Sequence, residues 1–211
     1  MTTPAAQLLS AFHTYLEPMD DEIVRDFIAG IDWKMPERVL EPNSLACLAH
    51  LDRAIEIAGP AERPLLALLA DNRHAFRWGQ TYTTADFGER FIQNYGWVEL
   101  VGTRGHFAND NIAAGFLVLG PDIVYPDHHH IAEELYVPLT GGTEWRKGEG
   151  AFVIRTAGEV IHHPSNVGHA MRTGAEPLVA LYLWRGGPLA QKSTIIGSVT
   201  RSQVGSPALG Q

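Results

Sequence analysis

Two hydrophobic rhythms divide the chain. In the first part, apolar positions recur every three to four residues, the period of an amphipathic helix. In "PAAQLLSAFHTYL" Leu8, Phe12 and Tyr15 share one face, with Pro4 at a favourable first-turn position. "DDEIVRDFIAGIDW" repeats the spacing with Ile23, Phe27 and Ile31, and Asp20, Asp21 and Glu22 complement a helix N-terminus. "NSLACLAHLDRAIEIAG" sets Leu45, Leu48, Leu51 and Ile55 behind an Asn/Ser cap and stops at Gly59-Pro60. "ERPLLALLADNRHAF" predicts a fourth helix and "DFGERFIQNY" a short fifth. These stripes read as packing surface.

From about Trp97 the period shortens. "WVELVG", "AAGFLVLG", "EELYVPL", "AFVIRTA", "EVIHHP" and "LVALYLW" are short apolar runs separated by Gly, Pro, Asn and Asp. That is the pattern of an antiparallel sandwich or barrel. The change-over falls between residues 80 and 97. The closing "SVTRSQVGSPALGQ" is small and polar and reads as a loosely ordered tail.

Composition narrows the function classes. Of 211 residues, 45% are hydrophobic and 19% charged, enough for a sizeable core. The net charge of −8 comes with no run of Lys or Arg, which argues against a nucleic-acid partner. No stretch of about 18 apolar residues predicts a membrane span, and the first residues lack the basic region of a signal peptide. Cys47 is the single cysteine, so no internal disulfide forms; its apolar setting predicts a buried structural thiol. A cytoplasmic location is the expectation.

The chemistry concentrates in "YPDHHHIAEELYVPLTG", residues 125–141. If residues 128–137 form one strand, His128, His130, Glu134 and Tyr136 face one side, with Ala132 between them. His129, Ile131, Glu133, Leu135 and Val137 face the other. Two imidazoles, a carboxylate and a phenol turned inward are costly unless bound to something, and a divalent first-row metal satisfies imidazole and carboxylate together. A polar, solvent-facing strand with a histidine-rich turn is the alternative. "GEVIHHPSNVGHA" adds His162, His163 and His169.

Together the two stretches resemble the paired motifs of the cupin superfamily. The first runs His128-x-His130, three residues, Glu134, six residues, Gly141; the second runs Gly158, five residues, Pro164, Ser165, Asn166, two residues, His169, three residues, Thr173. The pattern expects Gly at Asp122 and Asn166, and Asn at Thr173. Asn166 tolerates a left-handed turn. The resemblance implies a mostly β chain: a cupin (double-stranded β-helix or jelly-roll) barrel over 91–211, preceded by an α-helical region over 1–90. It implies His128, His130, Glu134 and His169 as ligands of one divalent transition metal (zinc, iron, manganese, cobalt or nickel) and no organic cofactor. His162 and His163 lie outside the matched positions, one expected to face the cavity and the other outward. His13, His50 and His74 read as surface or helix-face residues, and His106 gains no role.

Tyr125, two residues, then His128, His130, Ala132, Glu134 and Tyr136 at alternate positions resembles the cupin-type dimethylsulfoniopropionate lyases, in particular the DddQ-like group. That resemblance implies cleavage of dimethylsulfoniopropionate to dimethyl sulfide and acrylate. The metal would take the substrate carboxylate. Tyr136, also a candidate metal ligand in place of His128, would be the base, because a cation beside a phenol of ordinary pKa about 10 favours phenolate. Tyr125 is the second catalytic candidate. Tyr125, His128, Tyr182 and Trp184 are candidate substrate contacts, since aromatic faces attract a weakly hydrated sulfonium. The expected partner is a small sulfonium carboxylate, without nucleic acid or membrane; an oligomer is left open. A ferrous-iron cupin dioxygenase and a non-catalytic small-molecule-binding cupin are the alternatives.

Overall fold

The computed structural model describes residues 2–196; the small polar tail lies outside the described residues. Four helices come first: α1 (Pro4–Leu16), α2 (Glu22–Ala29), α3 (Leu51–Ile57) and α4 (Arg63–Asp71). The Thr3 hydroxyl caps α1 by accepting from the Ala6 amide at 3.2 Å. The Asp21 carboxylate caps α2 by accepting from the Ile23 and Val24 amides at 2.8 and 3.1 Å. The third helix departs from expectation. Residues Ala46–His50 form a tight 3-10 turn with no side-chain cap before α3 begins. Asn43 is drawn away to bond both backbone groups of Trp78, at 2.6 and 3.0 Å, which is a tertiary demand that no local rule anticipates. A fifth helix, α5 (Thr84–Gln93), is broken at Gly88, whose φ of 78° is a conformation glycine tolerates. Among the described residues, no helix is long and apolar enough to cross a membrane.

Among the described residues, twelve strands make two sheets. The larger runs β1 (Trp78–Gly79), β2 (Tyr95–Gly102), β4 (Ile112–Leu119), β11 (Leu178–Arg185), β6 (Glu133–Pro138) and β9 (Ile161–His163), with β3 (Phe107–Ala108) attached to β2. The smaller runs β12 (Thr194–Ile195), β5 (Val124–His129), β10 (His169–Arg172), β7 (Thr143–Lys147) and β8 (Val153–Arg155). This corrects the mostly β barrel expected from the sequence. The fold is mixed α/β: helices cover nearly as many residues as strands, and the two sheets share no strand pairing that would close them into a barrel. Period-two alternation announces strands, but it does not say whether sheet edges meet.

The larger sheet is buried on both faces, which is why β4 is buried along its whole length. On one face Val98, Phe116, Val118, Leu135, Val179 and Leu181 pack against α1 to α4; Phe12 meets Phe116 edge to face at 5.6 Å. On the other face Tyr95, Leu117, Tyr136 and Tyr182 look toward Tyr125, Trp145 and Met171 of the smaller sheet. Residues 128–137 are therefore not one strand, as the alternation suggested. β5 ends at His129, the chain turns over residues 130–132, and β6 resumes in the other sheet. The turn is what carries the histidine cluster across the gap between the sheets.

Among the described residues, the two non-glycine residues with left-handed backbone are Asp122 (φ 54°) and Asn166 (φ 60°), the positions where the cupin pattern expects glycine. Asp and Asn are the side chains that best tolerate this region. Thr173 is likewise employed in place of the expected Asn: its buried hydroxyl accepts from the Ile123 amide at 2.9 Å and donates to the Gly120 carbonyl at 2.7 Å, pinning the Asp122 turn.

Gly115 marks where the sheet makes room for the cavity. It pairs with Glu99 on one side and Tyr182 on the other, opposite an irregularity in β2. A Cβ there would lie 1.9 Å from the Val98 carbonyl oxygen, and backbone cannot step aside as a side chain can. Gly115→Ala should therefore destabilise the chain by about 3 kcal/mol, the upper end for overpacking. Urea unfolding reads this directly; an unchanged midpoint would mean that the bulge relaxes freely.

Candidate metal centre and active-site cavity

Cross-strand register assembles the site. In the larger sheet Glu134 sits between His163 on β9 and Trp184 on β11. Facing it in the smaller sheet, His128 and His169 pair across β5 and β10. His130 enters from the turn between the sheets. Ligand atoms of His128, His130 and His169 lie within 4.8 Å of one another, and so do those of Glu134, His163 and His169. All five side chains are buried.

The imidazoles are oriented by the backbone. The Nδ1 atoms of His128, His130 and His169 lie 2.8, 2.8 and 2.9 Å from the carbonyl oxygens of Pro126, Ala132 and Val167. A carbonyl only accepts, so each Nδ1 carries a proton, and in the neutral ring each Nε2 keeps a lone pair, the arrangement of a metal-binding imidazole. His169 Nε2 is 3.0 Å from Glu134 Oε2, yet no hydrogen bond satisfies it. Both nitrogens of buried His163 also lack a hydrogen bond, with Nδ1 3.7 Å from the same oxygen. Unpaired polar atoms at such depth are costly. Converging imidazoles, a carboxylate and this unmet valence fit a divalent transition metal.

Charge inside the cluster is tightly coupled. Burial alone would push the Glu134 carboxyl up, but His130, His163 and His169 around it hold it well below the usual range. Burial opposes charge on His130, and the Glu134 carboxylate at 3.1 Å overcomes this and raises it above an ordinary imidazole. His128 is driven well below by burial, with His169 adding to the effect, and burial lowers His163 to about 4; in both rings the Glu134 charge opposes the shift without overcoming it. Trp184 donates its indole N–H to the second Glu134 oxygen and stacks on His130 at 4.0 Å.

The tyrosines named from the sequence all reach this region. Tyr136 lines the cavity, with its ring centre 6.1 Å from that of His163. Burial first, and then the Glu134 charge, hold its phenol well above the ordinary value. Tyr125 stacks flat on His128 at 4.2 Å and donates its hydroxyl to Tyr82 at 3.0 Å. Tyr182 lies beside Tyr136 in the register and also lines the cavity.

Of the His162–His163 pair, His163 faces the cluster, while half-buried His162 turns outward to Glu133 at 2.7 Å. His13 stacks on Trp33 and His50 bonds Asn94, both outside the site. Buried His106 packs edge-on against Phe76. Cys47 is buried, and burial raises its thiol to about 12. Sequence reasoning missed Tyr82, Tyr95, Trp97 and Arg104. The alternation of Tyr95, Trp97 and Glu99 was visible, but not which face of that strand looks into the cavity.

Known proteins resemble this arrangement. A family model described as dimethylsulfoniopropionate lyase matches residues 22–180. The dimethylsulfoniopropionate lyase DddQ of Ruegeria pomeroyi is 38% identical over 111 residues, 52% of this chain and 55% of that protein. The putative dimethylsulfoniopropionate lyase DddL of Cereibacter sphaeroides is 26% identical over 148 residues, 69% of this chain and 61% of that protein. The chain thus matches little more than half the length of these curated relatives. A crystal structure of the lyase DddQ from Ruegeria pomeroyi superposes with a TM-score of 0.82 at 27% identity, over 92% of this chain and 98% of that one.

Replacing the central carboxylate tests the coupling. In metal-free Glu134→Gln, only the Ala132 carbonyl bond opposes burial at His130, so His130 should titrate lower than in the wild type. Proton NMR of the imidazole signals would read this. A His130 titration that stays elevated would mean another group supplies the charge.

Proposed function

The chain belongs to the dimethylsulfoniopropionate lyase family of the cupin superfamily, and we propose that it cleaves dimethylsulfoniopropionate to dimethyl sulfide and acrylate. The observation that carries the reading is a buried phenol, Tyr136, beside a converging His/Glu cluster in an aromatic-lined cavity.

His128, His130, Glu134 and His169 are the ligands in this reading. A divalent cation bound there would receive the substrate carboxylate, acidify its α-carbon and lower the proton affinity of the Tyr136 phenol. That assistance is needed, because burial and Glu134 otherwise keep the phenol protonated. Tyr136 oxygen takes the α-proton, and the C–H electron pair becomes the C=C bond of acrylate. The C–S pair leaves on sulfur as neutral dimethyl sulfide, so no general acid is required. Tyr125, Tyr182 and Trp184 present ring faces to the sulfonium, and the buried cavity limits water. Trp184, bonded to Glu134, also holds the carboxylate in place.

Two measurements test this reading. Metal content should be near one per chain in the wild type and should fall to background in His130→Ala, Glu134→Ala and His169→Ala. Full occupancy in all three would remove the metal site. Dimethyl sulfide release under nitrogen, which excludes an oxygenase, should drop about 10²-fold or more in Tyr136→Phe, the scale of losing a positioned base. Tyr136→Phe should remain folded and metal-loaded. Near-normal turnover in that variant would dismiss Tyr136 as the base, and abolished turnover in Tyr125→Phe would transfer the role there.

A further inference from the structure

The cavity contains a cationic group that the elimination does not use. Arg104 lines it together with Trp97, Tyr182 and Tyr136. Its guanidinium lies 4.5 Å from the Trp97 ring centre. Nε and Nη2 donate to Glu99 Oε2 at 3.2 and 3.0 Å, and the Arg104 amide donates to Oε1 at 2.7 Å. Nη1 has no hydrogen-bond partner among the described residues. The Glu99 side chain is 1% exposed and that of Arg104 is 41% exposed. A ligand in the cavity therefore meets the guanidinium, not the carboxylate that anchors it.

Register fixes where this group stands. Glu99, Gly115, Tyr182 and Tyr136 form one cross-strand row. Glu134, His163 and Trp184 form the neighbouring inward row. The Tyr182 phenol lies near enough to sense both Glu99 and Arg104. Arg104 is thus held at the far end of the row from Tyr136, pre-oriented by a ring beneath and a buried carboxylate behind, with a free N–H edge. Such a planar fork suits a carboxylate.

We propose that Arg104 forms a second anion subsite of the cavity, one that binds short carboxylates: it captures the carboxylate of the incoming zwitterion and holds the acrylate product as it leaves. This rests on the lyase reading for the identity of the substrate, but not for the subsite itself. Glu99 and Trp97 are positioning residues in this account, because they act through Arg104.

Equilibrium dialysis of the metal-loaded chain with radiolabelled propionate, an unreactive carboxylate without sulfonium, tests the subsite apart from turnover. Wild type should bind one more propionate per chain than Arg104→Gln. That difference of one is expected whether or not the histidine cluster takes a carboxylate, so a failed lyase reading would leave it standing. Arg104→Gln leaves Glu99 buried without its partner and could unfold, so the double variant Glu99→Gln/Arg104→Gln, which removes both charges, is measured beside it. In assays with dimethylsulfoniopropionate, both variants should raise KM about tenfold, the scale of a lost charge-assisted hydrogen bond, and keep kcat within about twofold. Arg104→Lys should recover part of the KM. Equal propionate stoichiometry in wild type and the double variant, or an unchanged KM, would overturn the proposal.

Discussion

The constraint on which the site depends is the burial of the Glu134 carboxylate. An ionised carboxylate removed from water loses solvation worth several kcal/mol, and proteins retain one only where other groups replace that solvation. Here the replacement is complete on every side. His163 and Trp184 flank Glu134 in its own sheet, His130 arrives from the turn, and His169 approaches from the opposite sheet. The carboxylate stays charged because those imidazoles surround it. Their remaining lone pairs converge on one another, so the arrangement that makes the carboxylate tolerable also makes a cation welcome.

That arrangement requires two sheets held face to face, and the helices serve that end. A sheet contributing rigid inward rows needs its outer face buried as well, and α1 to α4 cover it. The inward face is then free to carry Tyr95, Tyr136 and Tyr182 without weakening the packing behind it. The His130–Ala132 turn is the mechanical link, since it passes the chain from one sheet to the other while leaving its imidazole in the gap. The Ala132 carbonyl that orients His130 belongs to the same turn.

The cavity grades from one chemistry to another. Glu134, backed by the histidines, lines one part of it; aromatic rings line another, and Arg104 stands there against Trp97. Such a gradient suits a small zwitterion, whose two charges differ in hydration as well as in sign. A carboxylate prefers directed hydrogen bonds, whereas a sulfonium prefers polarisable ring faces.

The sequence by itself determined the residue chemistry. The spacing from Tyr125 to Tyr136, with His169 later, marked the residues that the fold brings together, although it is the turn between two facing sheets, not alternation along one strand, that joins them. It also carried the family resemblance, and most helices were legible from their apolar stripes. Only the tertiary structure decided the rest. It split residues 128–137 between two sheets, left those sheets open, chose His163 over His162, brought Tyr95, Trp97 and Arg104 to the cavity, and set Tyr82 against Tyr125. The physical reason is that periodicity encodes which side chains face together along one strand. Which strands become neighbours, and which face is covered, depends on burial by segments far away in the chain.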